Sequence, residues 1–155
     1  MSIIKNYLYN LTYQIFLILV PLLTVPYISR TLGADAVGMN AYTNSIMSYF
    51  ILFANLGLSL YGNRTIAYTR DSIEERSIRF WEIIILKFLM GIISLVCFTI
   101  FTLFYKQYTN LLWLQSIQLL TTAVDISWFF IGVEDFKRTV TRNILVKVLS
   151  LVLIF

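Results

Sequence analysis

Two charges stand where charges are costly. Lys87 and Asp125 each lie inside a long apolar stretch, with only Lys106 between them. A carboxylate or an ammonium in such surroundings has few uses: to pair with the other, to carry a proton or an ion, or to hold a charged substrate. Amides and hydroxyls accompany them at helical spacing. At about 100° per residue, Asn40, Asn44, Ser48, Asn55 and Ser59 fall within roughly a 100° arc. Gln115, Gln118, Thr121, Thr122 and Asp125 fall within about 120°. Asn10, Gln14, Pro21 and Thr24 align similarly, and Lys87, Gly91, Ser94 and Thr102 share a broader face. Such rows can hydrogen-bond between helices, with Ala41, Ser45 and Gly91 allowing close packing. They can also line a hydrated path for a hydroxyl-rich solute. Both readings stand at this point.

Other chemistry is excluded by what is missing. The chain has no histidine and one cysteine, Cys97, so neither a disulfide nor a Cys/His metal site forms within it. No paired-carboxylate metal motif or glycine-rich phosphate loop is present. Glu134 and Asp135 are adjacent and point about 100° apart on a helix, so they are no general acid/base pair. These features argue against an enzyme and imply no cofactor. The net charge of +4 is scattered between apolar segments and gives no nucleic-acid-binding face.

The elements that position these residues are membrane helices. Of the 155 residues 59% are hydrophobic and only 13% charged, with mean hydropathy +0.79. No charge occurs between Lys5 and Arg30, Asp35 and Arg64, Lys87 and Lys106, or Lys106 and Asp125. Crossing a hydrocarbon core of about 30 Å takes roughly 20 helical residues, and a chain this short cannot bury four such helices in a soluble core. The expectation is an all-α polytopic membrane helix bundle forming one domain, residues 1–155. Its helices lie at about 7–29, 37–61, 80–104 and 111–133, and a fifth at 143–155 is too short to span. A chain ending inside a membrane helix reads as a fragment, a truncated gene product or a designed piece.

Orientation follows from the basic residues of the connections. With the N-terminus cytoplasmic, Lys5, Arg64, Arg70, Arg76, Arg79, Lys137, Arg138 and Arg142 lie inside, and Arg30 and Lys106 outside. Tyr7, Tyr9, Tyr27, Trp81, Tyr105, Tyr108 and Trp113 fall near segment ends, at headgroup level. Residues 70–79 mix signs at helical spacing and predict a short surface helix, with Glu75 and Arg79 as an i,i+4 pair. Glu82 is expected to pair with Arg79. Lys87 and Asp125 lie at similar depths, roughly 10 and 12 Å from the cytoplasmic end, and are expected to face each other. The alternative is a Lys87 that snorkels and an Asp125 that is neutral. Pro21 and Pro26 predict a bent first helix.

Several stretches carry a resemblance. They are Val25-Pro-Tyr-Ile-Ser-Arg-Thr-Leu-Gly33 with Gly38, Gly57-Leu-Ser-Leu-Tyr-Gly-Asn-Arg64 with Ile66-Ala67, and Asp125-Ile-Ser-Trp-Phe-Phe-Ile-Gly-Val-Glu-Asp-Phe136 with Arg142-Asn143. In order and spacing the sequence resembles the polysaccharide flippases of the MOP superfamily, the bacterial O-antigen and capsular repeat-unit exporters. The resemblance implies two pseudo-symmetric bundles around a central cavity, of which this chain is most of the first. It implies that undecaprenyl-diphosphate-linked oligosaccharide crosses the bacterial cytoplasmic membrane by alternating access; on this reading Asp125 is the candidate group for coupling to a proton or sodium ion. Polysaccharide polymerase and glycosyltransferases are then expected partners, besides membrane lipids. The family pattern puts cavity arginines at Arg30 and Arg64, whose planar forks suit a diphosphate. Both could equally mark the membrane boundary. On a straight helix Arg30 points about 160° from the Asn10/Gln14 row, so joining it requires the proline bends.

The candidate substrate positions are thus Arg30, Arg64, Asn40, Asn44, Asn55, Lys87 and Gln118, with Asp125 as the ion-coupling group. An ion-coupled drug or solute exporter of similar architecture, or a non-transporting scaffold for polysaccharide enzymes, are the competing readings.

Overall fold

The computed structural model describes residues 3–134 and 136–154, and every regular element among them is helical. The order is α1 (Ile3–Asn55), α2 (Leu58–Tyr68), α3 (Ile73–Phe104), α4 (Thr109–Val124), α5 (Ser127–Gly132) and α6 (Phe136–Ile154). Three helical stretches are long and apolar enough to cross a membrane: Leu17–Tyr68, Ile73–Phe104 and Thr109–Gly132. The protein is an all-α membrane-helix bundle. One face of α3 is hydrocarbon: Ile85, Phe88, Leu89, Ile92, Val96 and Ile100 are all exposed. Such faces are stable only against lipid or another apolar surface.

The chain divides into two compact units, residues 1–37 with 134–155, and residues 38–133. In the first, Val20 and Thr24 of α1 are buried, with Leu17 and Ile28 half-buried on the same face. Thr24 donates its hydroxyl to Val20 O at 3.0 Å, so its polarity is absorbed within the helix. On α6 Val140 is buried and Asn143, Ile144 and Lys147 are half-buried. The helix runs through Pro21 and Pro26, and its interruption falls instead at Gly33 (φ 81°, ψ 164°). That conformation excludes side chains with a Cβ, so the glycine and not the prolines sets the break. The side chains of Lys5, Tyr7, Tyr9, Asn10, Asp135, Lys137 and Arg138 lie outside the described residues.

The second unit holds the remaining elements. On α3 the buried positions are Ile83, Lys87, Gly91, Ser94, Phe98 and Thr102, a stripe spaced by threes and fours. Phe98 joins Met47 and Ala54 of α1 and Leu112 and Leu119 of α4 in one core, and Phe50 meets Phe98 edge-on at 5.5 Å. Ser94 donates its hydroxyl to the Phe50 carbonyl at 2.8 Å, which ties α3 to α1. A second core joins Ile66 of α2, Ile83 of α3 and Trp128 of α5. Glycines permit these approaches. A Cβ on Gly62 would stand 2.5 Å from Trp128 Cε3, one on Gly132 would stand 2.8 Å from Ile66 Cβ, and one on Gly91 would stand 2.6 Å from Ala123 Cβ.

Three expected boundaries change. The 70–79 stretch is no separate surface helix: α3 starts at Ile73, where Ser72 caps it by accepting the Glu75 N–H at 3.4 Å, and no breaker follows before Phe104. The second segment breaks at Leu56 (φ 36°) and Gly57 (φ 74°) and resumes as α2. The fourth breaks at Asp125 and Ile126 and resumes as α5. Arg79 pairs with Glu82 at 2.8 Å, as expected, and Glu75 has no place in that bond.

Candidate functional site

The two breaks in the second unit meet at one residue. Lys87 is buried to 1% exposure, and its ammonium donates to the Asp125 carbonyl at 2.8 Å and to Ser59 Oγ at 3.2 Å. Ser59 in turn donates its hydroxyl to Asn55 Oδ1 at 2.8 Å. A hydrogen-bonded chain therefore runs from Asn55, the last residue of α1, through Ser59 of α2 and Lys87 of α3 to Asp125, where α4 ends. Gly91 lies one turn further along α3. Without a side chain it lets α4 come close enough for the lysine to reach the end of that helix.

Asp125 acts through two different groups. Its carbonyl receives Lys87 and also the Trp128 indole N–H at 3.1 Å. Its carboxylate accepts the Ser127 N–H at 3.1 Å and the Ser127 hydroxyl. An Asp that binds the backbone two residues on forms an Asx turn, which starts the next helix. The residue both ends α4 and launches α5. Lys87 and Asp125 do meet, but the bond runs from ammonium to backbone carbonyl.

A second polar contact lies on α1 and α4. Gln115 Nε2 donates to Asn40 Oδ1 at 2.9 Å, joining two of the rows read from the sequence. Gln115 is buried, and its Oε1 has no hydrogen-bond partner. Asn44 and Gln118, one turn along their helices, are exposed. The hydroxyls beside them turn back to main chain: Ser48 donates to Asn44 O, and Thr121 and Thr122 to Gln118 O, each at 2.8 Å. The amides of Asn44 and Gln118 thus stand at the surface of the unit.

Arg64 is exposed on α2, its guanidinium 5.7 Å from the centre of the Tyr68 ring and one nitrogen 3.5 Å from the Tyr68 hydroxyl. Arg30 is exposed in the first unit, as is Gln14. Ser59 and Trp128, both in the Lys87 cluster, were absent from the expected site. Their signals are Asn55-Leu-Gly57 before Ser59 and Asp125-Ile-Ser127 before Trp128, short patterns for a helix stop and a restart.

Tyr105, just beyond α3, donates its hydroxyl to Tyr42 at 3.2 Å, and Tyr108 lies edge-on to Tyr42 at 6.3 Å. The hydrogen bond to Tyr42, helped by desolvation, pushes the Tyr105 hydroxyl up to about 12. Among the described residues no three His, Cys, Asp or Glu side chains are placed to hold a metal ion.

A family model described as "Polysaccharide biosynthesis protein" matches residues 3–155. The chain is 30% identical over 158 residues to a candidate O-antigen transporter of Escherichia coli, a match that covers 100% of the chain and 38% of that protein. To a candidate O-antigen transporter of Shigella dysenteriae it is 27% identical over 139 residues, covering 88% of the chain and 35% of that protein. The chain thus spans little more than a third of the length of these relatives. No solved structure matches it at comparable significance.

Proposed function

The chain belongs to the polysaccharide biosynthesis protein family, and from that premise we propose that it forms part of a flippase for lipid-linked oligosaccharide. The substrate is a repeat unit carried on undecaprenyl diphosphate, moved from the cytoplasmic to the outer leaflet of the bacterial cytoplasmic membrane for surface polysaccharide. The observation that carries this reading is the family match along the chain, with relatives named as O-antigen transporters. Polysaccharide polymerase and glycosyltransferases are its proposed partners.

The proposed topology has four complete passes and a fifth in α6, with the N-terminus cytoplasmic. A stretch such as Leu17–Tyr68 has 52 residues. At about 1.5 Å each it far exceeds a core of about 30 Å. The non-helical residue Gly33 supplies the place for a turn between two passes.

Chemically, the exposed amides of Asn44 and Gln118, continuous with the Asn40–Gln115 contact, suit sugar hydroxyls. Arg30 and Arg64, exposed and always charged, are the proposed diphosphate contacts. Lys87 and Asn55 act at one remove by holding the helix breaks in place. Asp125 remains the proposed coupling residue, with its carboxylate engaged by Ser127 in the state described.

The test is transport by the full-length protein in proteoliposomes. Labelled lipid-linked oligosaccharide should gain access to the opposite leaflet, and a cationic dye should not be moved. Dye export without oligosaccharide flipping would favour a drug exporter, and transport of neither would favour a scaffold.

A further inference from the structure

Both hydrogen bonds of the Lys87 ammonium end on oxygens that carry no full charge, a main-chain carbonyl and a hydroxyl. A buried cation needs compensation, and the backbone supplies it. α4 ends at Val124, and the ammonium bonds to Asp125 O just beyond it and, through Ser59, to the side-chain Oδ1 of Asn55, the last residue of α1. Each helix C-terminus carries roughly −0.5 charge in its unsatisfied carbonyls. The end of α4 is the one the ammonium touches, through Asp125 O, and Asp125 adds its carboxylate on the same residue. Unwound carbonyls and the C-terminal ends of broken helices are a recurring way to bind a monovalent cation inside a membrane.

We propose that the end of α4, with Asp125 O and Ser59 Oγ, forms a monovalent-cation site whose cation is tethered to the chain as Lys87. The ligand class is a small primary ammonium. Divalent metals take oxygens at roughly 2.0–2.6 Å, whereas these stand at 2.8 and 3.2 Å from the nitrogen. Those are hydrogen-bond lengths, and they suit a donor with N–H groups to aim. The side chain makes this cation permanent, so the two breaks stay joined without a free ion. The inference does not depend on what the protein carries.

Thermal unfolding of the detergent-solubilised protein tests it. Lys87→Ala should lower Tm. n-Propylammonium replaces the lost Cγ-to-Nζ segment and should restore at least half of that loss, saturably, while leaving the unmodified protein unmoved. Tetramethylammonium, which has no N–H, and sodium at equal ionic strength should do neither. Equal rescue by all three salts, rescue by sodium alone, or a Lys87→Ala protein as stable as the parent would each overturn the proposal. If Lys87→Ala does not fold, Lys87→Met, Ser59→Ala and their double variant replace it. The site requires the two losses to be coupled. Simple additivity, or a Lys87→Met protein of parental stability, would overturn it.

Discussion

Lys87 reaches Asp125 at its backbone carbonyl, 2.8 Å away, while the Asp125 carboxylate turns to Ser127. Exchanging the two charges therefore should not restore what either single change removes. Asp125→Asn keeps a side-chain acceptor for Ser127 and leaves the carbonyl in place. It removes the charge but keeps the turn, so it should cost less than Asp125→Ala, which also loses the turn that starts α5; a lost helix cap costs about 0.5–2 kcal/mol. Thermal or denaturant unfolding of the solubilised variants decides this. A large loss in Asp125→Asn, or rescue by the swapped pair, would show that the carboxylate is the partner of Lys87 after all.

The glycines separate packing from backbone propensity. In Gly62→Ala the new methyl would stand 2.5 Å from Trp128, and in Gly132→Ala 2.8 Å from Ile66 and 2.9 Å from Asn63 O. Each should destabilise the protein by about 1–3 kcal/mol, the usual cost of overpacking. Gly38 is helical, with open space around it. Gly38→Ala should therefore gain about 0.5–1 kcal/mol. Equal effects at the three sites would mean that the α2–α5 contact is not close-packed.

Side-chain pattern reads some of this architecture directly. The α3 stripe with Lys87, Gly91 and Ser94 was visible because a 3.6-residue period marks which face turns inward. The Arg79–Glu82 pair was visible because three residues make nearly one turn. The breaks at Leu56–Gly57 and Asp125–Ile126 were not, because hydropathy averages over side chains and is blind to backbone dihedrals. The same blindness explains why Asp125 was expected to meet Lys87 with its carboxylate: a main-chain carbonyl leaves no mark in composition. Gly33 escaped the same reading: it adopts a conformation that no helix contains, and in side-chain pattern only the prolines mark the first segment for bending.

Gln115 offers a stabilising substitution. Its Oε1 is buried without a partner, and the desolvation penalty of such a group is about 1–3 kcal/mol. Its Nε2 bonds Asn40, whose side chain is exposed. Gln115→Leu should leave stability within about 1 kcal/mol of the parent or raise it. A loss well beyond that, measured by unfolding, would mean that the amide serves a buried water or a neighbouring helix.

Tyr105 should titrate well above an ordinary tyrosine. Its hydrogen bond to Tyr42 and its desolvation favour the neutral hydroxyl, holding it to about 12. The sign follows: the folded pKa lies above the ordinary value of about 10. The stability from this contact is complete below that value and is lost as pH rises toward about 12. The difference in phenolate absorbance between the parent and Tyr105→Phe, followed with pH, should place the transition near 12. A transition near 10 would remove the contact from the folded protein.

Exposure in the second unit has two meanings that labelling can separate. Asn44 and Gln118 are exposed, and so are Ile92 and Val96. On bare surface area they are alike. In a membrane they differ if the amide rows border water, because a thiol reacts with a maleimide only as its thiolate, which hydrocarbon suppresses. With Cys97 replaced by Ser, cysteine at Asn44 or Gln118 should react with a water-soluble maleimide in intact membranes. Cysteine at Ile92 or Val96 should stay unmodified until detergent is added. Reaction at all four positions would deny these helices a lipid face. Reaction at none would leave the amides as contacts for another helix, and the hydrated pathway for sugars would have to be sought elsewhere in the protein.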